Sequence, residues 1–149
     1  MNEEIEDLLH REELTLADTK KRALGFFIDE MLLSFLLMFA LWDSFATAKD
    51  MEAIIALTNT FVFEYMLMKI LYQTFFVTLY GATLGKIAMQ IRVIEIRTLT
   101  TPTLLCSLNR AIFRIISEML FYLGFLWGVL DPMRQTWHDK TAQTLVVNA

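Results

Sequence analysis

Apolar residues along this chain gather into long runs broken by single charges, and the length of each run sorts it into an element. A helix needs about 20 residues to cross a hydrocarbon core of roughly 30 Å. Two runs reach that length, Ala23 to Trp42 and Ile54 to Tyr80, the second interrupted only by Glu64 and Lys69. A third apolar region, Leu104 to Leu130, is mixed in character. Its first half carries Arg110, Arg114 and Glu118; its second half, LFYLGFLWGVL, is wholly apolar but has eleven residues, too few for a perpendicular span. The period then shortens to two in RVIEI, within Ile87 to Ile96, and apolar or β-branched residues fill Thr144 to Val147. Both stretches read as short strands. Two strands pair only on the same side of a membrane, so a helical hairpin or re-entrant element over Leu104 to Leu130 is favoured over a third plain crossing. The pattern predicts an all-α membrane protein with two full transmembrane helices, a third hydrophobic helical region (span or re-entrant hairpin), and a short cytoplasmic β-strand pair.

Composition agrees with that class. Of 149 residues, 56% are hydrophobic and 20% charged, more apolar and less charged than soluble domains usually are. The net charge of −4 is unevenly spread. Residues 1–20 hold seven acids and two bases, whereas the other 129 residues hold ten acids and eleven bases. The chain therefore divides into an acidic N-terminal tail, 1–20, and a nearly neutral transmembrane domain, 21–149. The tail is read as solvated, with a short amphipathic helix through Ile5, Leu8 and Leu9 as the alternative. Its acidity does not suit a cleavable signal peptide, so the first helix is expected to be a permanent anchor. Lys20, Lys21 and Arg22 abut the first span, while the loop after it offers only Lys49; the N-terminus is expected to be cytoplasmic. Lys86, Arg92 and Arg97, and later Arg134 and Lys140, put the second connection and the C-terminus on the same side.

Seven ionisable residues fall inside the apolar segments: Asp29, Glu30, Glu64, Lys69, Arg110, Arg114 and Glu118. A charge at mid-bilayer costs at least about 2.5–3.5 kcal/mol, so each is expected to face the protein interior, a water-filled cleft or a partner. Helical spacing puts Arg22 and Asp29 on one face, places Thr58, Tyr65, Lys69, Tyr72, Gln73 and Tyr80 in one arc, and strings Arg110, Arg114 and Glu118 at i, i+4 intervals. Glu30 points about 100° away from Asp29 and is read as the more lipid- or neighbour-facing of the two. Balanced acids and bases suit ion pairs that only fix helix register. They equally suit a proton or cation relay, because a buried carboxylate can alternate between protonated and ion-bound states. Asp29 is the leading candidate for that role.

Other chemistries find no support. GATLGK at 81–86 has three residues between its glycines, where a phosphate loop has four, and Ile87 follows the lysine instead of Ser or Thr. Gly81 and Gly85 are instead expected to form a tight exit from the second helix, with Lys86 at the lipid headgroups. His138 and Asp139 are adjacent but have no second histidine near them in the chain, so no metal site is expected. No nucleophile constellation, cofactor motif or basic nucleic-acid face is present, and enzymatic activity is not expected. Cys106, the single cysteine, permits no internal disulfide.

Lys21–Arg22–Ala23 followed by Asp29, then GATLGKIAMQIRVI, SLNRAIFR and WHDKTAQTLVV, closely resemble the RDD family of bacterial inner-membrane proteins over residues 20–147. The resemblance implies that Arg22, Asp29 and Asp139 are the arginine and two aspartates of the family's name. It also implies that Gly81, Thr83, Gly85 and Lys86 form its G-x-T-x-G-K element, and that Arg110 and Thr144 match family positions. It further implies a multi-pass inner-membrane protein, with cation/proton antiport assigned to some relatives. On that reading Asp29 is the coupling carboxylate, supported by Glu64, Lys69, Arg110, Arg114 and Glu118; topology and spacing, apart from the resemblance, add the expectation that Arg22 bridges it to Asp139. The plainer reading is that Asp139 caps or staples the strand pair. Expected partners are the lipid bilayer, monovalent cations or protons, and either a second copy of the chain or another membrane protein, since one thin bundle encloses little volume. The competing function is a non-enzymatic membrane scaffold or assembly factor.

Overall fold

The computed structural model describes residues 2–149, and its elements follow the chain in an up-and-back course. Helix α1 (Asn2–Arg11) precedes α2 (Thr19–Ala40), whose 22 residues span roughly 33 Å at the α-helical rise. Two short helices, α3 (Trp42–Ala46) and α4 (Met51–Thr60), turn the chain into α5 (Val62–Tyr80). Helices α2 and α5 are each long and apolar enough to cross a membrane. Their outer faces expose Phe27, Phe35, Phe39, Phe63, Leu71 and Phe75, while Asp29, Lys69 and Gln73 are buried. That inversion is what a lipid solvent selects.

The run Ile54 to Tyr80, expected as one helix, is broken at Phe61. Thr58 and Thr60 just before the break turn their hydroxyls back onto the carbonyls of Ile54 and Ala56, at 2.9 and 2.8 Å. Such back-bonding loosens a helix. At its other end α5 stops on Gly81, whose φ of +69° closes the last turn in the left-handed region that glycine tolerates best.

Helix α6 (Leu84–Ala88) leads to β1 (Ile91–Glu95), and α7 (Leu104–Met119) starts on a Thr103 cap. Helix α7 divides sharply: Ser107, Arg110, Ala111, Arg114, Ile115 and Ser117 are buried, while Leu105, Ile112 and Met119 are exposed. After it the chain bends by 104° into α8 (Leu123–Leu130), through Phe121 and Tyr122 at positive φ. Gly124 lies against Ser117 and Trp137, and Gly128 against Thr136, so α8 folds back upon α9 (Trp137–Ala142). The region Leu104 to Leu130 is thus a sharply bent helix pair.

Strand β2 (Thr144–Asn148) pairs antiparallel with β1, from Ile91 opposite Asn148 to Glu95 opposite Thr144. The strand pair therefore holds together the two ends of the bent region. The chain before α2 runs along the other edge of β2, where Ala17 N–H donates to the Val146 carbonyl and Asn148 N–H to that of Thr15, both at 2.9 Å. On one face Ile91, Val93 and Val146 pack with Ala17 and with Val77 from the last turn of α5. On the other face Ile94, Leu145 and Val147 pack with Met133 and with Ile5 and Leu9 of α1. The tail read as solvated instead contributes a helix whose apolar side covers the sheet. Its acids, Glu3, Glu4, Glu6 and Asp7, are exposed.

Candidate functional site: a charged interior beside the sheet

Gly25 on α2 and Gly85 on α6 bring two backbones into close approach. A side chain at Gly85 would collide with the Gly25 carbonyl and stand 2.8 Å from the Asp29 carboxylate. One turn further along α2, Asp29 is wholly buried. Its Oδ1 accepts from the Tyr72 hydroxyl at 2.7 Å and from Gly85 N–H at 2.9 Å, and its Oδ2 from the Thr83 hydroxyl at 2.6 Å. Tyr72 in turn accepts from Leu84 N–H at 3.1 Å, and Thr83 caps α6. All three of these donors are uncharged. Among the described residues, Asp29 is the one fully buried carboxylate without an ion-pair partner.

Asp139 on α9 is equally buried but held differently. Arg22 Nη2 lies 2.5 Å from its Oδ2, and Arg110 pairs with its Oδ1. Its Oδ2 also accepts from Thr136 N–H at 3.1 Å and the Thr136 hydroxyl at 2.9 Å, which makes it the carboxylate of a capping box on α9. Arg22 donates as well to the Arg134 carbonyl, and Arg110 to the Thr144 hydroxyl at the start of β2. Burial alone would raise the Asp139 carboxyl, but Arg22 and Arg110 outweigh it and hold it well below the usual carboxylate range. His138 beside it is pushed well below its ordinary value by burial, and is neutral at pH 7.

A third cluster joins the helices nearer their middle. Glu30 pairs with Lys69 at 3.0 Å and Arg114 at 3.2 Å, and Glu118 pairs with Lys69 and, at 3.5 Å, with Arg114. Two acids and two bases close on one another, with Tyr65 donating to Glu30 at 3.3 Å and Arg114 over the ring of Phe26. Glu30 therefore faces the interior and not lipid or a neighbour. The 100° that separates it from Asp29 turns it towards α5 and α7 instead of α6.

Several expectations meet the geometry and some do not. Arg22 and Asp29 share a face of α2, yet Arg22 engages Asp139 and forms no ion pair with Asp29 among the described residues. Glu64 lies exposed in the first turn of α5, outside every charged cluster. Lys69, Arg110, Arg114 and Glu118 all lie in the interior, as their spacing implied. Lys86 is partly buried and has no ion-pair partner within 4 Å among the described residues. Loss of hydration lowers its ammonium to about 7; Asp29 opposes that shift and Arg114, Arg110 and Arg22 add to it. Tyr72 comes from the polar arc that helical spacing marked on the second helix, whereas no helical period singles out Thr136; the Thr–x–Gly–Lys order at 83–86 signals the turn that grips Asp29.

Apolar outer faces around paired internal charges define a helical membrane protein whose interior, and not its surface, carries the polar chemistry. The model of the RDD family matches residues 16–143, and the chain belongs to that family. No curated protein and no solved structure matches it.

Proposed function

We propose that this protein exchanges monovalent cations for protons across the bacterial inner membrane, with Asp29 as the group at which the exchange is coupled. One observation carries the reading: a carboxylate sealed from solvent and contacted only by hydroxyl and amide donors, whose field acts on Lys86, a lysine that burial lowers to about 7. Five interior bases (Arg22, Lys69, Lys86, Arg110, Arg114) oppose four carboxylates (Asp29, Glu30, Glu118, Asp139). If a cation at Asp29 displaces the proton of Lys86, the interior charge is the same before and after. Low-dielectric surroundings favour such a balanced exchange over uncompensated loading. Arg22, engaged with Asp139, serves as a fixed anchor in this scheme and not as a bridge.

The basic residues beside the sheet, Lys20, Lys21, Arg22, Lys86, Arg92 and Arg134, favour a cytoplasmic N-terminus and sheet. The test is purified protein in liposomes with a pH dye inside and a gradient of Na⁺, K⁺ or Li⁺ outside. The expected result is cation-driven proton movement that Asp29→Asn and Lys86→Arg each abolish. Absence of flux from correctly inserted wild-type protein would sink the proposal.

A second reading, a non-enzymatic membrane scaffold, is favoured by the closed neutral cluster of Glu30, Lys69, Arg114 and Glu118, which pins three helices without any ion. It predicts no flux and a membrane protein that co-purifies through the apolar faces.

A further inference from the structure

Between α2, α7, α8 and α9 lies a cleft of about 270 Å³, of whose lining the exchange scheme uses only Lys86 and Arg22. Its polar wall carries Arg22, Lys86, Arg110 and Arg114, and among the described residues no acidic side chain lines it. Asp139, behind that wall, is shared by Arg22 and Arg110, so their two positive charges meet one negative charge. Arg114 is matched by Glu30 and Glu118, so the unmatched positive charge of the wall is that of Arg22, Arg110 and Lys86. Among the described residues, two polar atoms of lining side chains that are more than nine-tenths buried have no hydrogen-bond partner: Gln73 Nε2 and His138 Nδ1. The Gln73 nitrogen is a donor that only an acceptor can satisfy. The opposite wall is apolar, formed by Phe26, Phe125, Leu126 and Val129.

A cationic floor with an orphan donor under an apolar wall fits an amphiphilic anion. Its depth narrows the choice. Thr19, Arg22, Ala23 and Phe26, from the first turns of α2, line the cleft, which places it where a spanning helix leaves the hydrocarbon. The volume lies just below the range of about 300–1,000 Å³ for pockets that enclose a whole ligand. It is large enough for a headgroup but leaves acyl chains to run outside, along the exposed faces of Leu126 and Val129.

We propose that this cleft binds the phosphate of an anionic phospholipid, with its glycerol against Phe26 and Phe125 and its chains leaving between α2 and α8. The lipid would offer an acceptor to Gln73 and offset the excess positive charge of Arg22, Arg110 and Lys86. It would also fill the gap under α8, the helix whose fold-back depends on small residues at Gly124 and Gly128.

The test is retention of lipid by protein purified in neutral detergent, read by native mass spectrometry after adding equimolar phosphatidylglycerol and phosphatidylcholine. Wild-type protein is expected to retain the anionic lipid about fivefold over the zwitterionic one, about the value of one membrane-surface basic residue. Val129→Glu, which sets a carboxylate at the mouth, is expected to bring the ratio to parity. Leu130→Glu adds the same charge one residue on, at a side chain that does not line the cleft, and is expected to keep the preference. Equal retention of both lipids by wild type, equal loss in both variants, or displacement of phosphatidylglycerol by millimolar inorganic phosphate would each overturn the proposal. The last result would mark a free-anion site instead. No ion gradient is involved, so this outcome is independent of whether cation-driven flux is found.

Discussion

Asp29 on α2 and Asp139 on α9 are both sealed from solvent, and the protein treats them oppositely. Asp139 has two guanidinium groups, a capping-box amide and a hydroxyl, and its partners come from α2, α7 and α9. Every oxygen is committed, and four segments of the chain meet there once Thr144 is counted through Arg110. Asp29 receives three hydrogen bonds from neutral donors on α5 and at the start of α6, and no counter-charge among the described residues. A carboxylate clamped by two arginines is a fastener, because changing its charge leaves a buried cation unmatched. A carboxylate solvated only by hydroxyls and an amide can change its partner at lower cost, because those donors reorient or remain in place. The difference suits Asp139 to an architectural role and is what motivates the proposed exchange at Asp29.

The sharpest break of this comparison is Asp139→Ala. Two interior arginines lose their shared partner, and destabilisation of about 3–5 kcal/mol is expected, read as loss of folded protein in detergent or a collapse in Tm. Next is Gly85→Ala, which would press a methyl onto the Gly25 carbonyl and the Asp29 carboxylate. About 1–3 kcal/mol is expected from overpacking, together with loss of exchange, because the loop carrying Thr83 moves away from Asp29.

Acid sensitivity comes third. His138 is neutral when folded and protonates readily when unfolded, so the unfolded state binds more protons below about pH 6.5 and stability falls as pH drops, by up to about 1.4 kcal/mol per unit. His138→Gln is expected to flatten that slope. Asp139 contributes with the same sign only below about pH 4, where its unfolded form takes up a proton that the folded form refuses. The smallest stability effect is expected from Asp29→Asn, within about 1 kcal/mol of wild type, since the amide oxygen still accepts from Gly85 and Tyr72 and its nitrogen donates to Thr83. A large stability loss in Asp29→Asn with a small one in Asp139→Ala would invert the assignment. Topology can be checked on the same material. With Cys106→Ala and Asn148→Cys, an impermeant thiol reagent applied outside intact cells is expected to leave the new cysteine unlabelled.

Much of this was legible in the sequence. Run lengths located α2 and α5, alternation located β1 and β2, and the demand that two strands meet on one side led to the bent pair α7–α8. Periodicity also put Asp29, Lys69, Arg110, Arg114 and Glu118 inside. It could not say which acid meets which base, because helical spacing fixes an angle on one helix and not the rotation of its neighbour. Hence Arg22 turned to Asp139 and not Asp29, and Glu30, a single residue from Asp29, joined a different cluster. Glu64 lies outside every cluster because the break at Phe61 makes it a first-turn residue at the end of a helix. Helix α1 was read as a solvated tail because its seven-acid neighbourhood outweighed two apolar residues, Ile5 and Leu9, whose burial depends on a sheet formed by distant strands.

The central claim is that Asp29 takes up a cation in competition with a proton. Thermal unfolding of detergent-solubilised wild type and Asp29→Asn, with NaCl, LiCl or KCl against choline chloride at equal ionic strength, tests it most directly. Lys86 loses its proton near pH 7, so the account predicts a cation-specific rise in Tm that is weak at about pH 6, grows by about pH 8, and is absent from Asp29→Asn. A rise of equal size in Asp29→Asn, or no difference between the alkali cations and choline at any pH, would contradict it.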